Sequence, residues 1–137
     1  MQTLLQTRAS LRHTIQRSLK NNKMGITYEM LEIMSYLWKN NGVNQQELAN
    51  KTFKDKTSLT YLINNLEKRE LVIRQEDTQD RRNKKILLTD QGYELREKLQ
   101  PILIEIYTSS SENLDTKSLE EMTLFLQKVI YEFKEIK

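Results

Sequence analysis

Only three glycines and one proline interrupt this chain of 137 residues. Gly and Pro are the strongest local breakers of regular structure, so their scarcity commits the chain to long helices. Leu4, Leu11, Ile15 and Leu19 recur at helical spacing and predict a first helix over residues 2–20. Thr27 is placed to cap a second, over 28–39, whose apolar face carries Met30, Leu31, Ile33, Met34, Leu37 and Trp38. Asn40-Asn41-Gly42 ends it, with Gly42 suited to a left-handed backbone. Asn44-Gln45-Gln46-Glu47 has the spacing of a capping box, in which Asn44 caps a short helix over 45–51 and Glu47 reaches back to its amide. Asp55 then caps a fourth helix over 56–69, where Leu59, Leu62, Ile63 and Leu66 fall at i, i+3, i+4 and i+7.

The period changes after this. Leu71-Val72-Ile73 and Ile86-Leu87-Leu88 are short β-prone runs joined by a charged stretch from Glu76 to Lys85, which predicts a hairpin. Thr89-Asp90-Gln91 opens a fifth helix running through Ile106, with a kink or break expected at Pro101. A Ser-rich loop over Thr108 to Asn113 and a last helix over about 116–135 complete the chain. No internal repeat or linker divides it, so the expectation is one domain over 1–137, mainly α with a small β-hairpin.

The absence of cysteine excludes disulfides, thiolate metal sites and a thiol redox switch. A single histidine, His13, leaves no multi-His metal site, and neither a paired acid/base motif nor a Gly-rich phosphate loop is present. No apolar run approaches the ~18 residues of a membrane span, and the N-terminus lacks a signal-peptide stretch. These features predict a cytoplasmic binding protein rather than an enzyme, without metal, cofactor or membrane partner.

The net charge of +3 conceals an uneven distribution. Residues 1–24 hold five Lys/Arg and no acid, residues 51–85 ten against six, and residues 105–137 four against seven. Basic segments of this kind suit nucleic acid, although lysine-rich helices also simply solvate themselves. The element order favours the first reading. Helices three and four are separated by only a few residues, as in a helix-turn-helix, and the hairpin behind them would be its wing. At about 100° per residue, Thr57, Tyr61, Asn64 and Lys68 lie opposite the apolar face of the fourth helix, with Thr60 at its margin. Lys54 and Lys56 are candidate phosphate contacts, and Thr57, Ser58, Thr60, Tyr61 and Asn64 candidate base or backbone contacts. Asp80, Arg81, Arg82 and Lys84 form the charged hairpin tip.

At these positions the sequence resembles the MarR family of bacterial transcription regulators. Glu47-Leu48-Ala49, Asp55 through Thr60, Leu66-Glu67-Lys68-Arg69 and Leu71-Val72 follow that family's helix-turn-helix without a gap. Asp80-Arg81-Arg82, with Leu88-Thr89 and Gly92 downstream, resembles its wing. Two positions depart from the pattern: Glu70 stands where the family often has Gly, and Tyr61 where it often has Arg.

The resemblance implies a homodimer on pseudo-palindromic double-stranded DNA. Residues 2–20 and 93–137 would supply dimerisation helices and residues 27–92 the DNA-binding lobe. Arg82 would enter the minor groove and Asp80 would orient its guanidinium. A small aromatic or anionic effector is implied as well. Met34 and Trp38 are candidate apolar lining for it and His13 and Arg17 candidate anion contacts, with core packing and plain solvent exposure as the alternatives. A winged-helix interaction module without DNA binding is the competing function.

Overall fold

Most helix starts follow from a capping side chain, that at Gln2 excepted. In the computed structural model, which describes residues 1–136, the Thr27 hydroxyl accepts from the Met30 amide to open α2 (Tyr28–Lys39). Asn44 accepts from Glu47 N to open α3 (Gln45–Lys51), and Asp55 from Ser58 N to open α4 (Lys56–Lys68). These satisfy amides that have no partner inside the helix. The capping box is half formed, because the Glu47 carboxylate lies against the Tyr36 hydroxyl. Ahead of them runs α1 (Gln2–Asn21).

The chain packs as two compact units, Met1–Leu103 and Ile104–Lys137. In the first, Leu19 of α1, Ile33, Met34 and Leu37 of α2, Leu48 of α3 and Leu59, Ile63 and Leu66 of α4 are almost wholly buried. Each such side chain contributes about 1.5–3 kcal/mol by leaving water. Leu99 of α5 (Asp90–Ser111) joins this core.

The hairpin is longer than the apolar runs suggest. Its strands are β2 (Val72–Glu76) and β3 (Lys84–Leu88), paired antiparallel from Val72↔Leu88 to Glu76↔Lys84. A third strand, β1 (Val43–Asn44), pairs with β3 through Val43↔Ile86, giving the order β1-β3-β2. Two residues are too few to show a period of two, so the pattern of the sequence does not reveal it. The added strand ties the start of α3 to the base of the hairpin, which positions the wing beside α3 and α4.

Three helices end without glycine. Lys23, Phe53 and Glu70, just past α1, α3 and α4, have φ of 51°, 54° and 58°. After each, the next amide reaches back to a helix carbonyl: Met24 N to Leu19 O, Lys54 N to Ala49 O and Leu71 N to Leu66 O, all at 3.0 Å. This is the Schellman arrangement, in which glycine is favoured because a Cβ crowds the following carbonyl. Glu70→Gly is therefore expected to stabilise the fold by about 0.5–1 kcal/mol, the relieved strain being partly offset by a freer unfolded chain. A higher midpoint of urea unfolding checks it.

Of the kink or break expected at Pro101 the break is absent, and the loop expected from Thr108 is corrected. α5 continues through Pro101 to Ser111. Pro101 is exposed, and the Ser110 and Ser111 hydroxyls donate back to Tyr107 O at 2.9 and 2.8 Å, so they are satisfied within the last turn rather than in a loop. In the second unit, α6 (Thr116–Glu135) is capped by Asp115 and has no buried residue, leaving Leu124, Phe125 and Phe133 exposed.

Candidate nucleic-acid interface

The apolar face of α4 is buried and its opposite face, Thr57, Tyr61 and Asn64, is exposed. Lys56 and Ser58 stand exposed on its first turn. The Asp55 carboxylate accepts from both the amide and the hydroxyl of Ser58, at 2.8 and 2.7 Å. Those bonds, the amide's first, hold Asp55 below the usual carboxylate range and keep the cap charged at neutral pH. Thr60 is half-buried: its hydroxyl donates to Lys56 O at 2.8 Å and accepts from Gln45 Nε2 at 2.9 Å. Gln45 Oε1 in turn accepts from Arg74 Nε at 3.3 Å, and Arg74 pairs with Glu67. Thr60 is thus part of a brace linking α3, α4 and β2.

Lys54 is placed differently from Lys56. It occupies the residue after left-handed Phe53, so its side chain folds inward, only 13% exposed, and its ammonium donates to Glu32 at 2.7 Å. It supports α2 against the helix-turn-helix, whereas Lys56 points to solvent. Lys54→Met is expected to lower stability by about 1 kcal/mol and leave the salt dependence of DNA affinity unchanged, because its charge meets a carboxylate. Lys56→Ala is expected to leave stability alone and flatten the slope of log affinity against log salt by about 1 per protomer. Urea unfolding and salt titrations of both variants separate the two roles.

The wing tip is held by its own acids. Asp80 Oδ1 accepts from the Arg82 backbone amide at 3.0 Å, and Oδ2 from Asn83 Nδ2 at 3.2 Å. Asp77 accepts from Gln79 N at 3.0 Å and pairs with Lys85 at 3.6 Å. Asp80 therefore shapes the backbone beneath Arg82, in place of the expected bond to its guanidinium. Arg81, Arg82 and Lys84 are all exposed.

Between wing and helix-turn-helix lies a cleft of about 250 Å³ whose lining includes Lys56, Arg82, Lys84, Gln45, Gln46 and Asn83. Three cations and three amides meet there with no carboxylate among the lining residues. The sequence pointed to the cations separately. It carried no signal for the three amides, because their meeting depends on β1 holding α3 against the hairpin.

The four effector candidates are not brought together. Met34 is wholly buried in the core, and Trp38 Nε1 donates to Gly92 O at 2.9 Å. His13 and Arg17 stand exposed on α1. Among the described residues no group of His, Asp and Glu is arranged to hold a metal, and no helix is long and apolar enough to cross a membrane.

A helix-turn-helix whose outer helix is exposed, followed by a basic hairpin packed on its base, is a winged helix. Residues 26–84 match the family model of the MarR family, and the winged helix of this chain is similar to that family's domain. The HTH-type transcriptional regulator SarZ of Staphylococcus aureus is 29% identical over 82 residues, covering 60% of this chain and 55% of SarZ. The chain thus spans about half the length of the curated relatives it matches. The S. aureus MepR–DNA complex superposes with a TM-score of 0.84 at 25% identity, over 96% of this chain and 95% of that one. NadR in complex with 4-hydroxyphenylacetate superposes at 0.77 with 29% identity, over 98% and 92%.

Proposed function

We propose that this chain is a homodimeric transcriptional repressor of the cytoplasm that binds pseudo-palindromic duplex DNA and is released by a small aromatic or anionic effector. One observation carries the DNA reading: the cleft that joins Lys56 to Arg82 and Lys84. With α4 in the major groove and the wing in the adjacent minor groove, the strand dividing the two grooves must pass between them. A cationic, amide-lined cleft at that position suits a phosphate backbone. The exposed Thr57, Tyr61 and Asn64 then face base edges, and Arg82 faces the minor groove.

Exposed apolar side chains support a dimer. Leu4 and Leu5 of α1 and Leu124, Phe125 and Phe133 of α6 lie open in the single chain, a quantity of apolar surface that monomers rarely leave uncovered. A second copy related by a two-fold axis would cover them and would match a palindromic site. The 4-hydroxyphenylacetate bound to NadR supports an aromatic acid as the class of effector.

The interaction-module alternative is tested by binding to duplex DNA across a salt series. The DNA reading requires a steep fall of affinity with salt, and weak, salt-insensitive retention would favour the alternative. Light scattering tests the assembly: a dimer at micromolar concentration is expected, a folded monomer contradicts it, and deletion of residues 109–137 should yield a monomer or an aggregate.

A further inference from the structure

Phe53 is 93% exposed, more than any other large apolar side chain among the described residues, and its backbone is left-handed with φ of 54°. Either feature alone is unfavourable. Glycine would remove both, since it has no Cβ to crowd the turn and no apolar surface to leave in water. A strained, solvent-exposed aromatic that contributes nothing to the core is the kind of outlier from which a contact can be inferred.

Its position says with what. Phe53 borders a second cleft, of about 710 Å³, with Thr57, Ser58 and Tyr61 on one side and Met30 and Leu62 as apolar floor. At about 100° per residue, Ser58 and Leu62 lie on the flank of α4 away from Lys56 and Leu59, which line the cleft beside the wing. A helix in the major groove meets a wall on each flank. On the wing side that wall is offered three cations. On the other flank the charges are already satisfied: Lys54 by Glu32, Glu29 by Arg12, and Asp55 by the Ser58 amide. An apolar ring beside neutralised charges is a poor phosphate contact. The apolar feature that a major groove presents at its base edges is the thymine C5-methyl group.

We propose that Phe53 is a specificity-determining contact that packs on a thymine methyl at the edge of the α4 footprint, which makes the turn of the helix-turn-helix part of the reading surface. This rests on the DNA-binding reading above. The residue takes the left-handed turn position in place of glycine because its ring, anchored at the N-terminal end of α4, reaches beyond the span of Thr57 and Tyr61.

The test uses the full chain and a duplex it selects, with each thymine replaced in turn by uracil, which removes only the methyl. Wild type should lose about fourfold in affinity at one thymine of each half-site, the worth of one buried methyl group. Phe53→Gly, which removes the contact from both half-sites of a dimer, should bind the thymine duplex about fifteenfold more weakly and be indifferent to that uracil, while melting no lower than wild type. Phe53→Leu should recover part of the thymine preference. Undiminished affinity in Phe53→Gly overturns the proposal and leaves the DNA reading standing. Equal loss on thymine and uracil duplexes overturns it too, as does Phe53→Gly losing a protein partner but no DNA. A wild type that binds no duplex overturns the DNA reading and this proposal together.

Discussion

Replacing Gly92 by alanine is expected to destabilise the winged-helix unit by about 2–3 kcal/mol, against the usual gain from that change inside a helix. A Cβ on Gly92 would lie 2.3 Å from the Leu71 carbonyl oxygen and 3.2 Å from Leu88 Cδ2. The carbonyl cannot swing aside freely, because it accepts from Thr89 N at 3.1 Å where the hairpin closes. Gly92 is fixed from its own side as well: its amide donates to the Thr89 hydroxyl at 3.1 Å, and its carbonyl accepts from Trp38 at 2.9 Å. The substitution must therefore separate α5 from the base of β2 or break the Trp38 bond. Urea unfolding should show a lower midpoint with an unchanged slope, and a stabilised variant would contradict the packing described.

Arg82→Ala is expected to produce the largest single loss in DNA affinity. With one wing per protomer, it should flatten the slope of log affinity against log salt by about 2 for a dimer. Arg82 stands exposed beside Lys56 and Lys84 with no acid lining their cleft, so no internal partner competes for it. The minor groove cannot distinguish A·T from T·A by its edges, and narrow A·T-rich grooves concentrate negative potential. Preference for A·T-rich flanks should thus disappear while the base preference set by α4 survives. Arg82→Lys should restore part of the slope but little of the flank preference, since an ammonium is more strongly hydrated. Asp80→Ala should act more mildly, through a looser tip backbone, because Asp80 accepts from the Arg82 amide. Salt titrations on operators with contrasting flanks measure all three, and an unchanged slope in Arg82→Ala would mean that the wing does not touch DNA.

Helix starts were legible in the sequence because Thr27, Asn44 and Asp55 announce them chemically, and their caps form as expected. The ends of α1, α3 and α4 also fall within one residue of those expected. What the sequence did not signal is the left-handed backbone of Lys23, Phe53 and Glu70 just beyond them, a conformation that glycine ordinarily marks. The same turn geometry explains Lys54, which reads as a phosphate ligand in a linear pattern. The position after left-handed Phe53 turns the Lys54 side chain inward against α2, where Glu32 receives it. Thr60 and Asp80 show a related limit. Residue type indicates that a hydroxyl or carboxylate will bond, while the choice of partner depends on which backbone the fold brings near. Lys56, Thr57, Tyr61 and Asn64 are exposed where helical periodicity puts them, because one buried stripe determines the opposite face.

Selection of bound sequences from a random pool of duplexes tests the central claim most directly. A dimer presenting α4 of each copy should enrich a pseudo-palindrome with half-sites about 10 base pairs apart, or a multiple of that. Tyr61→Ala and Asn64→Ala should each shift the preferred bases, since a well-placed side chain on a base edge discriminates by about 1–3 kcal/mol. A pool that stays random, or an enriched sequence that both variants leave unaltered, would contradict the assignment of α4 as the helix that reads DNA.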